Sequence, residues 1–262
     1  MTALKGLYLY KDRPSPALSI EEVVAGLESL GLHTEYRGDF LRFLGLGEDE
    51  LHSLAARIAA IRVGDIESLL DRPTEPEKVD VEREAAGMSG DEPHTDAFYD
   101  GNWLQRIYFA TLSPRAASEP LCETAHLVFT GRLIGTFETR RYHARVIIGG
   151  MPALLSTSGV VEAPARPREY YFMKAKFAQS GRDTAELERA FEGRFLTYDD
   201  PKITSAMKSY ALQAVFFQAA GREFCPESGC CLFNSHWQEE VLRKQVDGVL
   251  CAQCRKVLEE FT

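Results

Sequence analysis

The chain has 262 residues, 45% hydrophobic and 26% charged, so it is long enough to bury a sizeable core and has an ordinary soluble globular composition. No run of about eighteen apolar residues is present, which argues against a membrane-spanning helix. The formal charge of −9 weighs against generic binding to nucleic acid or to an anionic membrane.

In chain order, residues 7–10 read as a short strand that Pro14 and Pro16 stop. Ser19 followed three residues later by Glu22 is a capping-box pattern, which predicts a helix running to Leu30 before Gly31 closes it. Residues 34–37 and 41–44 are expected to be strands. Leu51, Leu54, Ala55 and Ile58 share one helical face, so residues 48–61 form a second amphipathic helix. Strand and helix alternate, which favours an α/β layer. Residues 73–96 are rich in Pro, Gly, Asp and Glu and read as an acidic loop or linker, with a lid as the other reading. They divide the chain into an N-terminal α/β part, residues 1–72, and a larger part, residues 97–262.

An aromatic segment at residues 99–109 follows, then expected strands at 126–130, 144–148 and 153–157. Residues 163–167 are a proline-stiffened break, residues 170–177 are expected to resume a strand, and residues 183–191 a helix. The longest helical pattern covers residues 203–220 and ends at Gly221.

Five of the six cysteines follow that glycine. Cys225, Cys230 and Cys231 are separated by about twenty residues from Cys251 and Cys254, a spacing that suits two short loops meeting around a tetrahedral zinc ion. The opening residues Met1 to Gly6 lack a secretory signal pattern, so a cytoplasmic location is expected, where thiols serve metals more often than disulfides. Cys225, Cys230, Cys251 and Cys254 are the expected ligands of one structural zinc. Cys231 is a spare thiol or a substitute for Cys230.

Chemical candidates elsewhere are sparse. Glu123 and His126 would share a helical face, but on a strand entering residues 127–129 they point to opposite sides, and His126 is then a hydrogen-bonded core residue. His143 follows Arg140, Arg141 and Tyr142, a group with forked donors for an anion or else a polar hairpin turn. Glu162 and Glu169 bracket the proline break and are expected to pair with Arg166 and Arg168. His94 and Asp96 end the acidic stretch. The hydroxyl run Ser156-Thr157-Ser158 has no general base at fixed spacing. His236 and Trp237 are expected to pack over the metal loops.

The order of long helix, glycine and cysteine tail resembles the archaemetzincins, metzincin-type zinc peptidases that carry H-E-x-x-H-x-x-G-x-x-H-C, then x4-C-x-M and a later C-x-x-C. Aligned on Cys225, Gly221 takes the family's glycine position, Cys230 the next cysteine, Leu232 the methionine, and Cys251 and Cys254 the final pair. Phe233-Asn234-Ser235 is similar to the stretch that follows the methionine. The resemblance implies an α/β (α+β) fold of metzincin type: a twisted mixed sheet, flanking helices and a C-terminal zinc module at residues 221–262. It also implies a loss. Ala214, Gln218 and Phe224 stand where the three zinc-binding histidines would be, and Val215 replaces the glutamate that would activate water. Alanine, valine and phenylalanine offer no lone pair to a metal. The expectation is a pseudoenzyme that binds a peptide or protein partner. The alternative is a hydrolase with an active site moved to the central strands, using Glu123, His126, His143 and Glu162.

Overall fold

The computed structural model describes residues 4–90, 97–120 and 123–261. Its centre is a parallel sheet in the order β2-β1-β4-β7, with β1 (Gly6–Asp12), β2 (Thr34–Asp39), β4 (Thr124–Thr130) and β7 (Ala153–Ser156). A second sheet joins β3 (Phe98–Asp100) parallel to β5 (Leu133–Glu138), which pairs antiparallel with β6 (Arg141–Ala144).

Both faces of the parallel sheet are covered, and side-chain alternation shows why. Leu7 and Leu9 of β1, with Leu127 and Phe129 of β4, face one core. That core is closed by α1 (Ile20–Glu28) and α9 (Lys202–Ala220). Tyr10 and Val128 face the other, against α2 (Phe40–Leu44), α3 (Glu48–Ala59) and α5 (Gly101–Leu112). A strand with two buried faces carries side chains that fill both, at a period of two. The sheet thus joins residues 6–39 directly to residues 124–156.

Several expectations need correction. Residues 41–44 lie in helix α2, because the Asp39 side chain accepts the Arg42 N–H as an N-cap and Gly45 closes the turn with φ 59°. Residues 170–177 lie in α7 (Arg168–Ser180), whose Tyr170 and Phe177 pack with Leu187 of α8 (Thr184–Ala190), Phe191 and Phe195 as a separate small core. The acidic stretch is no plain loop. Residues 78–89 form α4 (Lys78–Ser89), docked on α3 through Ala55, Ala59 and Val81. His94 and Asp96 lie outside the described residues, as does Cys122. The strand expected at 144–148 is divided: β6 ends at Ala144, and Ile147 bridges antiparallel to Leu154 beyond the edge of β7.

At the carboxyl ends of β1 and β4 lies a buried charged network. Asp12 accepts from the Tyr108 hydroxyl (2.7 Å) and the Thr130 hydroxyl (2.9 Å). Arg132 reaches Glu84 of α4 through Nη1 (2.7 Å) and lies 3.4 Å from Asp12 through Nε. Tyr99 donates to the same Glu84. Burial works to raise the Asp12 carboxyl, but Arg132 and Arg13, with the two hydroxyl donors, outweigh it and hold it below the ordinary range. Glu84 thus ties α4 to the central sheet.

Candidate functional site

Helix α9 ends in a left-handed glycine, Gly221 at φ 61°, whose N–H returns to Phe217 O at 2.9 Å. Only a residue without a Cβ takes that conformation cheaply, and it turns the chain at once into the cysteine segment. There Cys225 bridges to Phe233 and Cys230 to Val249, so two short loops are held face to face. Cys251 caps α11 (Ala252–Glu259) by accepting the Cys254 N–H on its Sγ, 3.4 Å away.

The ligand atoms of Cys225, Cys230, Cys251 and Cys254 all lie within 4.8 Å of one another, and among the described residues they are the one such group of three or more His, Cys, Asp or Glu residues. Four sulfurs at about 2.3 Å from a central zinc would stand about 3.8 Å apart along a tetrahedral edge. Cys225 Sγ and Cys251 Sγ are 3.8 Å apart. Backbone amides of Glu227 and Cys251 point at Cys225 Sγ (3.4 Å) and Cys230 Sγ (3.5 Å), which favours thiolates there. Burial raises the thiols of Cys225 and Cys254, whereas donation from the Cys231 thiol lowers Cys230 to about 4. This donor set could hold a metal ion. Cys231 is buried outside the group, its carbonyl accepting from Gln245 Nε2 at 3.1 Å.

A second feature is a cleft of about 500 Å³. It runs between residues 144–148, the first turn of α6 (Thr157–Glu162) with residues 163–165, helix α9 at Tyr210 and Gln213, and residues 223–236. Gly159 lets its walls approach, since a Cβ there would collide with the Arg145 carbonyl. Ile147 spends both main-chain groups on Leu154 (2.9 and 2.8 Å). Its neighbours Val146 and Ile148 line the cleft, and their main-chain groups have no hydrogen-bond partner among the described residues.

The sequence candidates fall in different places. Glu123 pairs with Lys5 at 2.7 Å. His126 is buried in the sheet, its Nδ1 3.0 Å from the Tyr10 hydroxyl and its Nε2 3.3 Å from Glu119; burial lowers it to about 4. Glu162 is exposed and accepts from Tyr198. Arg166 pairs with Glu188, and Arg194 with Glu169, in place of the local pairs expected. His143, on β6, lines the cleft, and so does His236, while the Trp237 ring lies beneath the Arg168 guanidinium. Ala214 and Gln218 face a narrow space of about 10 Å³ shared with His126 and Gly150. Sequence reasoning missed the cleft lining of Tyr210, Gln213 and Glu223, which lie on a helix and loop read only for packing and for metal.

A family model described as a probable metallopeptidase family (DUF6775) matches residues 3–261. The chain belongs to that family. No curated protein and no solved structure matches it. Among the described residues, no helix is long and apolar enough to cross a membrane.

Proposed function

We propose that this member of the metallopeptidase family holds one structural zinc through Cys225, Cys230, Cys251 and Cys254 and binds an extended peptide, or an extended segment of a partner protein, in the cleft without zinc-dependent hydrolysis. The observation that carries peptide binding is the unpaired main chain of Val146 and Ile148 along that cleft. An extended segment with free N–H and C=O groups can pair with an added strand, and the pockets beside it read side chains.

The side chains on the archaemetzincin-like register weigh against a peptidase centre. On the archaemetzincin-like register, Ala214, Val215 and Phe224 supply no donor, and Gln218 is a poor zinc ligand. The space beside Ala214 and Gln218, about 10 Å³, has room for at most one water. A water-activating metal needs several donors and an open position, and these residues do not fit one.

A second reading, a hydrolase using acid–base groups elsewhere, draws on the shared placement of His143 and His236 in the cleft. Fluorescence anisotropy with labelled apolar heptapeptides tests the first reading against it. The proposal expects saturable binding that Val146→Pro or Ile148→Pro abolishes, with the peptide recovered intact. Cleavage that His143→Ala removes would establish the hydrolase instead. No binding by the folded protein would reject the groove.

A further inference from the structure

The chemistry of the cleft wall specifies what it recognises. We infer that the cleft contains a subsite for a cationic side chain, so that the bound segment presents a lysine or arginine; this rests on the peptide-binding reading above.

Three observations lead there. Counting histidines as neutral, the charged residues of the lining are Glu138, Arg145 and Glu223. Arg145 Nη2 pairs with Glu138 Oε2, so those two cancel. Glu223 has no ion-pair or hydrogen-bond partner for its carboxylate among the described residues, and it is exposed at the cleft. One negative charge is therefore left uncompensated in the lining.

Gln213 supplies the second observation. It is 1% exposed and directs Nε2 to the carbonyls of Phe233 (3.3 Å) and Cys231 (3.5 Å), which fixes the orientation of its amide. Its Oε1 is buried with no partner, as are Ser235 Oγ and the Arg145 Nε donor in the same lining. A buried carbonyl oxygen without a donor costs about 1–3 kcal/mol, so at the Gln213 oxygen a ligand that brings an N–H gains and one that brings only an acceptor does not. Ammonium and guanidinium groups carry donors alone, and a carboxylate carries acceptors alone.

The third observation is the apolar path. Val146 and Phe224, both partly exposed, line the same cleft and offer a surface on which the methylene stem of lysine or arginine packs while its head meets polar atoms. Tyr210 borders Gln213 on α9, and burial raises its phenol, which stays a neutral hydroxyl.

The test uses the zinc-loaded 262-residue chain and three labelled heptapeptides of alternating alanine and valine, with lysine, norleucine or glutamate at the centre. Norleucine matches the lysine stem without its charge, so it reports the groove alone. The lysine peptide is expected to bind about fivefold more tightly than the norleucine peptide, the gain of one partly exposed charge-assisted contact. Glu223 is exposed, so Glu223→Gln should fold normally and reduce that ratio by at least half, and Glu223→Lys should shift preference to the glutamate peptide. Equal affinity for all three peptides in the unsubstituted protein overturns the cationic subsite and leaves the groove standing. Failure of even the norleucine peptide to bind overturns the groove reading, and the subsite with it.

Discussion

Replacing Arg132 with methionine would remove the positive centre of the buried network while keeping an unbranched side chain of similar length. Arg132 is 1% exposed, and the two carboxylates it holds, Asp12 and Glu84, are 2% and 3% exposed. Asp12 would keep its donors Tyr108 and Thr130 and the neighbouring Arg13 guanidinium, and Glu84 would keep Tyr99, yet each would lose its pairing with Arg132. Removing one partner of a buried pair costs about 3–5 kcal/mol, because the charges left behind have no water to return to. Against a total stability of about 5–15 kcal/mol, that is a large fraction. With a urea slope of about 3 kcal/mol per molar, the unfolding midpoint should fall by about 1 M or more. Glu84→Gln in the Arg132→Met background should recover part of the loss, giving a coupling energy of at least about 1 kcal/mol in a double-mutant cycle. A single-variant loss below 1 kcal/mol, or strict additivity, would refute the assignment of this network as the tie between α4 and the sheet.

Acidification should destabilise the protein through His126, whose folded value near 4 lies below the ordinary 6.5 because the ring is buried. The unfolded chain therefore binds the proton first: stability is complete above about pH 6.5 and declines as pH falls toward 4, by up to about 3 kcal/mol. Melting temperature against pH checks this, and an NMR titration of His126 with a midpoint near 6.5 would contradict it. Cys251→Ser should lower zinc content well below one per chain and expose residues 225–259 to proteolysis, whereas Cys231→Ser should leave the metal bound. Gly159→Ala should weaken heptapeptide binding several-fold by forcing residues 145–148 outward, with a readout in the same anisotropy assay. Gly181→Ala, in the αL cap of α7 where nothing lies within 4 Å, serves as the control: it should cost about 1 kcal/mol and leave binding unchanged.

What could be read from the sequence was mostly local. The cysteine loops are close pairs within thirty residues, so their convergence follows from spacing, and α9 with Gly221 follows from a long apolar run and its stop. Helix α7 was hidden by composition: Tyr170, Tyr171, Phe172 and Phe177 favour a strand, although Tyr170, Met173 and Phe177 pack at a helical interval. Helix α4 was masked by its acidic neighbours, and its anchor is a glutamate whose partner is Arg132, far along the chain. The cleft left no local signature at all. Glu138, Val146, Gly159, Gln213 and Ser235 come from five separate segments, and only the crossing of β7, α6 and α9 gathers them. Among the four catalytic candidates, chain proximity suggested Glu123 with His126, but the fold gives the first to Lys5 and the second to Tyr10.

Metal analysis of the purified chain, combined with X-ray absorption at the zinc edge, bears most directly on the whole account. One zinc per chain with four sulfur neighbours at about 2.3 Å is the expected result. A second equivalent, or a shell with nitrogen and oxygen neighbours near 2.0 Å, would mean a metal held outside the thiol group and would contradict the claim that the peptidase centre is gone.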